Sequence, residues 1–256
     1  MMRLLAIGDV VGNNGLAFLK KKLPAAIREY KADVVVVNGE NASGVGLTPE
    51  QADDILAAGA HVVTLGNHTF SRDSIRGYLE ESSRVIRPAN YSPLAPGRGW
   101  TVVPTALGDV AVINLQGRCG MDFSPDNPFL EIDRILKKLD TKLIFIDFHA
   151  EATSEKQALA YYLEGRVSAV WGTHTHVQTS DAGVLEGGTG LICDLGMTGA
   201  VRSVLGVRPE QSIAMFRGES RSRYEAASGA CKMEGCLFTV DERSGHCTAA
   251  EAIRVL

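Results

Sequence analysis

Val34-Val35-Val36-Val37-Asn38-Gly39-Glu40-Asn41 is the stretch that decides how this chain folds. Four consecutive β-branched residues leave no polar face for water, so the run suits a parallel strand covered on both sides. It ends in a turn that carries a carboxylate between two amides. The same design recurs along the chain. Arg3 to Ile7 ends in Gly8-Asp9, Val62 to Leu65 in Gly66-Asn67-His68, Leu143 to Phe148 in His149, and Val167 to Trp171 in Gly172-Thr173-His174-Thr175-His176. Apolar strands that each close on polar residues predict an α/β fold whose site lies beyond the C-terminal strand ends.

Helical patterns fall between these strands. Leu16 to Tyr30 is helical with an interruption at Pro24, and Thr48-Pro49-Glu50-Gln51 forms a capping box with proline in the first turn and a stop at Gly59. Ser74 to Glu81, Phe129 to Leu139 and a helix capped at Ser154-Glu155-Lys156-Gln157 complete the helical set. Further strands are predicted at Trp100 to Pro104, Val110 to Leu115, Gly190 to Cys193, Gly235 to Val240 and Ala250 to Val255, with a turn at Arg243-Ser244-Gly245. No repeat or Gly/Ser/Pro linker divides the chain, so residues 1–256 read as one domain.

Composition narrows the classes of function. With 26 basic and 30 acidic residues the formal net charge is −4, and no basic face for gripping duplex nucleic acid stands out. A small anionic substrate would have to be drawn in by a metal. The N-terminus lacks a signal-peptide pattern and no run reaches membrane-spanning length, which predicts a cytoplasmic protein with no membrane partner. Five cysteines, odd in number and loosely spaced, predict free thiols rather than a disulfide framework.

Read together, the strand ends carry Asp9, Glu40 with Asn41, Asn67 with His68, His149, and His174 with His176. Carboxylate, amide and imidazole groups suit first-row ions such as iron, manganese or zinc better than magnesium or a cysteine-bound structural zinc. The set exceeds one tetrahedral ion. A pair of ions about 3.5 to 4 Å apart, bridged by one carboxylate, would use it fully.

In this order, Asp, Gly-Glu-Asn, Gly-Asn-His, His and Gly-Thr-His-Thr-His resemble the calcineurin-like metallophosphoesterases from Asp9 to His176. That resemblance implies two β-sheets packed as a sandwich and flanked by helices, the αββα arrangement, with a dinuclear site at the strand ends. Two departures stand out. The usual Asp-x-His is Asp9-Val10-Val11 here, and the usual bridging aspartate is Glu40. Both resemble the YmdB-like branch, which is associated with hydrolysis of cyclic nucleotide diesters and favours 2′,3′-cyclic mononucleotides as the small substrate.

Carried over by position, the resemblance makes Asp9 and His176 ligands of a first metal, Glu40 the bridge, and Asn67, His149 and His174 ligands of a second. Asn41 stands in for the missing histidine through its side-chain oxygen, with hydrogen bonding inside its own turn as the alternative. His68 is left over as a phosphate contact or as general acid to the leaving oxygen. The implied reaction is in-line attack by a hydroxide bridging two divalent or mixed-valence ions, with iron or manganese favoured over zinc. Asp194 and Glu151 lie near the candidate site in sequence, and Asp194 is a candidate either for orienting a ligand imidazole or for a structural role. The glycine-rich segments 183–190 and 196–199 could let backbone amides approach a phosphate. A nucleotidase-like phosphomonoesterase is the runner-up, a regulatory protein with a structural metal centre is a further class, and a homo-oligomer stays open. Gly8, Gly12 and Gly15 invite a dinucleotide-binding reading, but their spacing departs from Gly-x-Gly-x-x-Gly.

Overall fold

The computed structural model describes residues 1–219 and 224–256. In chain order its strands are β1 (Met2–Ile7), β2 (Asp9–Val10), β3 (Val34–Asn38), β4 (Val62–Thr64), β5 (Val85–Ile86), β6 (Trp100–Thr105), β7 (Gly108–Gln116), β8 (Leu143–His149), β9 (Ala169–Thr173), β10 (Gly183–Val184), β11 (Gly190–Ile192), β12 (Met197–Ala200), β13 (Cys231–Val240) and β14 (Cys247–Val255). The helices are α1 (Gly12–Tyr30), α2 (Pro49–Ala57), α3 (Ile75–Glu81), α4 (Pro128–Leu136), α5 (Thr153–Tyr162) and α6 (Pro209–Phe216).

Two sheets form. The larger runs β2-β12-β13-β1-β3-β4-β5 with β14 also paired to β13, and the smaller runs β10-β11-β9-β8-β7-β6. β1, β3, β4 and β5 are mutually parallel, as are β7, β8, β9 and β11, so each set delivers its C-terminal ends to one edge of its sheet.

The valine run shows why a sandwich results. Val35 and Val37 join Leu5, Ile7, Leu19, Leu23 and Ile55 in a core beneath α1 and α2. Val34 and Val36 point the other way, joining Val112, Phe145 and Trp171 of the second sheet. Alternation with period two thus covers both faces of one strand, and each fully buried valine contributes on the order of 2 kcal/mol. Between the sheets Trp171 stacks on Phe238 with ring centroids 5.7 Å apart. A third core places Ile132, Ile135 and Leu159 of α4 and α5 over Ile113, Ile144 and Ile146. The layers are helix, sheet, sheet, helix.

Several local expectations change. α1 starts at Gly12 and runs through Pro24. Pro24 removes one hydrogen bond, but burial of Leu19, Leu23 and Ala26 along the helix's inner face outweighs that loss. α5 starts at Thr153 without a side-chain cap, because its N-cap position falls on Ala152, while Glu155 in the first turn accepts the backbone N–H groups of Arg118 and Cys119 at 3.0 Å. The strand expected over Val167 to Trp171 is shifted to β9, since pairing with β8 begins at Ala169. β2, β5, β10, β12 and α6 lie outside the expected elements. The capping box of α2 is present in full, with Thr48 and Gln51 bonded reciprocally. All five cysteines are free, and no helix among the described residues is long and apolar enough to cross a membrane.

The rival dinucleotide turn fails on packing. A Cβ at Gly8 would lie 2.1 Å from the Gly196 carbonyl oxygen, and one at Gly15 would lie 2.3 Å from that of Thr198. These glycines admit the backbone around β12, not a cofactor.

Candidate metal centre

All the strand-end residues meet where the two sheets' C-terminal edges face each other. Asp9, Glu40 and His149 are completely buried, and Asn41 is nearly so. Glu40, His149 and His174 each offer a ligand atom, all within 4.8 Å of one another. His149 Nε2 lies 3.0 Å from Glu40 Oε1, 2.9 Å from Asn67 Oδ1 and 3.1 Å from His174 Nδ1. One ring nitrogen carries at most one proton, so it cannot satisfy this whole ring of acceptors. A cation can.

Each imidazole has its outer nitrogen engaged, which aims the inner one at the centre. The Nδ1 of His149 is 2.9 Å from Thr173 Oγ1, whose own proton goes to Asp147 Oδ1 at 2.7 Å. The threonine oxygen therefore accepts from the ring, leaving the Nε2 lone pair of neutral His149 facing Glu40 and Asn67. His176 Nδ1 is 2.9 Å from the Leu205 carbonyl, which can only accept, so its Nε2 is the inner nitrogen, 3.6 Å from Asp9 Oδ1. For His174 the roles reverse. Its Nε2 meets Glu151 Oε2 at 3.2 Å and its Nδ1 faces His149. Such outer acceptors fix ring orientation and tautomer at metal sites.

On the oxygen side, Asp9 Oδ2 accepts the His174 N–H at 3.2 Å, while Asp9 Oδ1 is buried without a hydrogen-bond partner. An orphaned carboxylate oxygen is costly unless something cationic meets it. Glu40 Oε2 accepts the His68 N–H at 3.1 Å. The residues therefore fit metal ions. Gly66 makes the approach possible, because a Cβ there would lie 2.3 Å from the His149 ring and 2.4 Å from Glu40 Oε2. Strain is present too. His174 and His176 adopt φ of 101° and 62°, a left-handed backbone that costs non-glycine residues about 1 to 3 kcal/mol to hold.

Electrostatics explain what the metal-free centre does. Burial opposes ionisation of Asp9, but His176 and then His149 hold it well below the usual carboxylate range. Burial likewise opposes charge on Glu40, yet His149 lowers it. Burial works against protonated His176, and Asp9 overcomes it, raising the group to about 9. His149 is raised in the same way by Glu40. His174 is lowered to about 4 by burial and by the neighbouring His149 charge. Without metal, a proton on His176 balances Asp9, and Glu40 favours the protonated form of His149.

Asn41 and His68 sit at the margin. Asn41 presents its amide nitrogen, 3.2 Å from Glu40 Oε1 and 3.2 Å from His176 Nε2, so ligation through oxygen requires the amide to turn over. His68 Nε2 is 3.4 Å from the Asn67 amide nitrogen. Asp194 touches no imidazole. Its Oδ2 accepts from Thr175 N at 3.1 Å and from the buried Lys156 at 2.8 Å, bracing the turn between the two histidines. Glu151 is the residue that meets an imidazole. The 183–190 segment packs internally, with Gly190 against Phe238 and Cys247 and Gly188 against His246. Likewise a Cβ at Gly196 would meet Glu234.

Sequence reasoning missed the layer behind His149. Asp147 receives hydrogen bonds from Thr173, from Asn38 at 3.2 Å and from Thr64. Burial, countered by Thr64, raises it to about 6. A lone carboxylate inside the apolar run Leu143 to Phe148 was the available signal.

Comparison with known proteins shows the family to which the chain belongs. The sequence model of the family described as YmdB-like protein matches residues 5–253. The 2′,3′-cyclic-nucleotide 2′-phosphodiesterase of Bacillus subtilis (strain 168) is 41% identical, over 99% of this chain and 97% of that protein. Among solved structures, a hypothetical protein from Thermus thermophilus superposes with a TM-score of 0.92 at 38% identity, covering 99% of each chain. A novel phosphatase from Mycoplasma pneumoniae gives 0.93 at 32% identity, covering 99% of this chain and 93% of its own.

Proposed function

Because the chain belongs to the YmdB-like family and is a phosphoesterase, we propose that it hydrolyses 2′,3′-cyclic nucleotides at a two-metal centre built from both sheets. The observation that carries this reading is the convergence of three inward imidazole nitrogens on Asp9, Glu40 and Asn67, with one buried oxygen of Asp9 making no hydrogen bond. Asp9, His176 and Asn41 would hold the first ion, Asn67, His149 and His174 the second, and Glu40 would bridge them. When bound, the ions supply Lewis-acid charge that acidifies water and offsets charge developing on the phosphoryl oxygens. Iron or manganese suits the mixed oxygen and nitrogen donor set best.

The chain's own groups do the rest. The His68 N–H holds Glu40 Oε2, fixing the carboxylate's rotamer. Thr173, Leu205 and Glu151 hold the outer ring nitrogens, so the histidines meet their ligand geometry without reorganising. In opening the cyclic diester, water forms a new P–O bond and gives up a proton while one ribose P–O bond breaks and its departing oxygen takes a proton. His68 would give it from Nδ1, since its Nε2 faces the donating amide nitrogen of Asn67. Neither serine nor cysteine is needed as a nucleophile, so no covalent intermediate is expected.

The test is a substrate panel with protein reconstituted separately with iron, manganese and zinc. Turnover of 2′,3′-cyclic nucleotides well above that of nucleoside monophosphates supports the reading. Preference for monoesters would replace it with a phosphomonoesterase, and inactivity with all three metals would overturn it.

A further inference from the structure

Next to the metal cluster, on the far side of Asn67, lies a cavity of about 370 Å³ lined by Phe70, Tyr91 and Phe123, with Ser71 and Ser92 adding hydroxyls. That volume falls within the range of small-molecule sites. Asn67 belongs to both places. Its Oδ1 faces His149 at 2.9 Å, and the same residue forms part of the cavity wall.

The aromatic wall is fixed to the metal-binding turn. The Tyr91 hydroxyl is 3.1 Å from the Gly66 carbonyl, one residue before Asn67, and 2.5 Å from Gln116 Oε1. Gln116 in turn donates its amide N–H to the Phe123 carbonyl at 3.0 Å. One buried side chain thus ties two of the aromatic residues to each other and to the site. Tyr91 meets Phe123 edge to face at 5.5 Å and Phe70 at 6.2 Å. The Arg76 guanidinium covers the Phe70 ring at 4.7 Å. Phe123 is held differently. It is 54% exposed, a large apolar ring kept in water at the cavity's edge.

We propose that this cavity is the nucleobase subsite, an inference that rests on the cyclic-nucleotide reading above. A nucleotide is anionic at one end and flat, neutral and aromatic at the other. The protein offers the matching gradient, from a cation-binding cluster through Asn67 to a wall with no charged side chain. The base stacks on Phe123, and its edge meets neutral hydroxyls, not a charged reader. Purines and pyrimidines are therefore both accepted, with the larger ring system held more tightly.

The test compares wild type, Phe123→Ala and Phe123→Trp, each metal-loaded, on adenosine 2′,3′-cyclic phosphate and on methyl riboside 2′,3′-cyclic phosphate, which lacks a base. Because Phe123 is largely exposed, its truncation leaves the core intact. Stacking on an aromatic side chain is worth on the order of ten- to hundredfold in affinity. Phe123→Ala should lower the kcat/KM preference for the nucleotide over the riboside by about that factor, through KM, and Phe123→Trp should restore it. An unchanged preference in Phe123→Ala overturns the subsite. If wild type cleaves neither diester, the hydrolytic reading falls on its own, and equilibrium dialysis with the same nucleotide decides the subsite: weaker binding by Phe123→Ala keeps it, equal binding removes it.

Discussion

The two sheets bring different chemistry to one centre. The larger sheet, through β2 and the turns after β3 and β4, presents Asp9, Glu40, Asn41 and Asn67, and the smaller, through β8 and the turn after β9, presents His149, His174 and His176. Oxygen and amide groups come from one side, imidazoles from the other. The oxygen side is fixed by backbone N–H groups, Glu40 by that of His68 and Asp9 by that of His174. The nitrogen side is fixed by acceptors behind the rings, Thr173 for His149, Leu205 for His176 and Glu151 for His174. Neither sheet alone makes a site. Metal binding would therefore join the two halves of the sandwich at their ends, where a proton on His176 otherwise balances Asp9.

The largest expected effect comes from cutting the one residue proposed to serve both ions. Glu40→Ala should abolish hydrolysis and weaken both metals, whereas Asn41→Ala should weaken chiefly the first. Equal metal retention by the two variants would show that the bridge is assigned wrongly. His68→Ala should leave both metals bound and slow cyclic-nucleotide hydrolysis by about 100-fold to 10,000-fold, the usual worth of a general acid. With a nitrophenolate leaving group the loss should shrink, and an equal loss on both substrates would end the general-acid role.

On the nitrogen side, Thr173→Val removes the acceptor behind His149 without touching a proposed ligand. Metal affinity should fall by about ten- to hundredfold, as outer-layer substitutions do, with the second ion affected first. Affinity equal to wild type would mean that packing alone orients the ring.

A smaller effect belongs to the metal-free protein. His176 is raised from 6.5 to about 9, so its pairing with Asp9 adds stability that is fully present below pH 6.5 and is lost as pH rises through about 9. Urea unfolding of chelator-treated wild type and His176→Gln should differ at pH 6 and converge at pH 10. A gap that widens with pH would have the wrong sign.

The same contrast explains what the sequence could reveal. The valine run disclosed a strand covered on both faces, because alternation is a local property, and the strand-end residues pointed to one cluster, because histidines and an acid recur at corresponding ends. The acceptors behind the rings were less visible. Leu205 acts through its carbonyl, which any residue supplies, and Thr64 reaches Asp147 only once two strands from different sheets face each other. β2 and β12 are short, and their pairing joins distant parts of the chain. Asp147 was legible in principle, as a carboxylate in an otherwise apolar strand, but its role requires the fold. Of the two roles open to Asp194 in the sequence, orienting an imidazole or a structural one, the fold selects the structural one, since it braces the backbone of Thr175.

The most direct test is to count metal in the purified, metal-loaded chain by elemental analysis, alongside a structure of the same sample. A shared centre between the sheets predicts two ions per chain with Glu40 in contact with both. One ion per chain, reproducibly, with Glu40 touching no second ion, would contradict it.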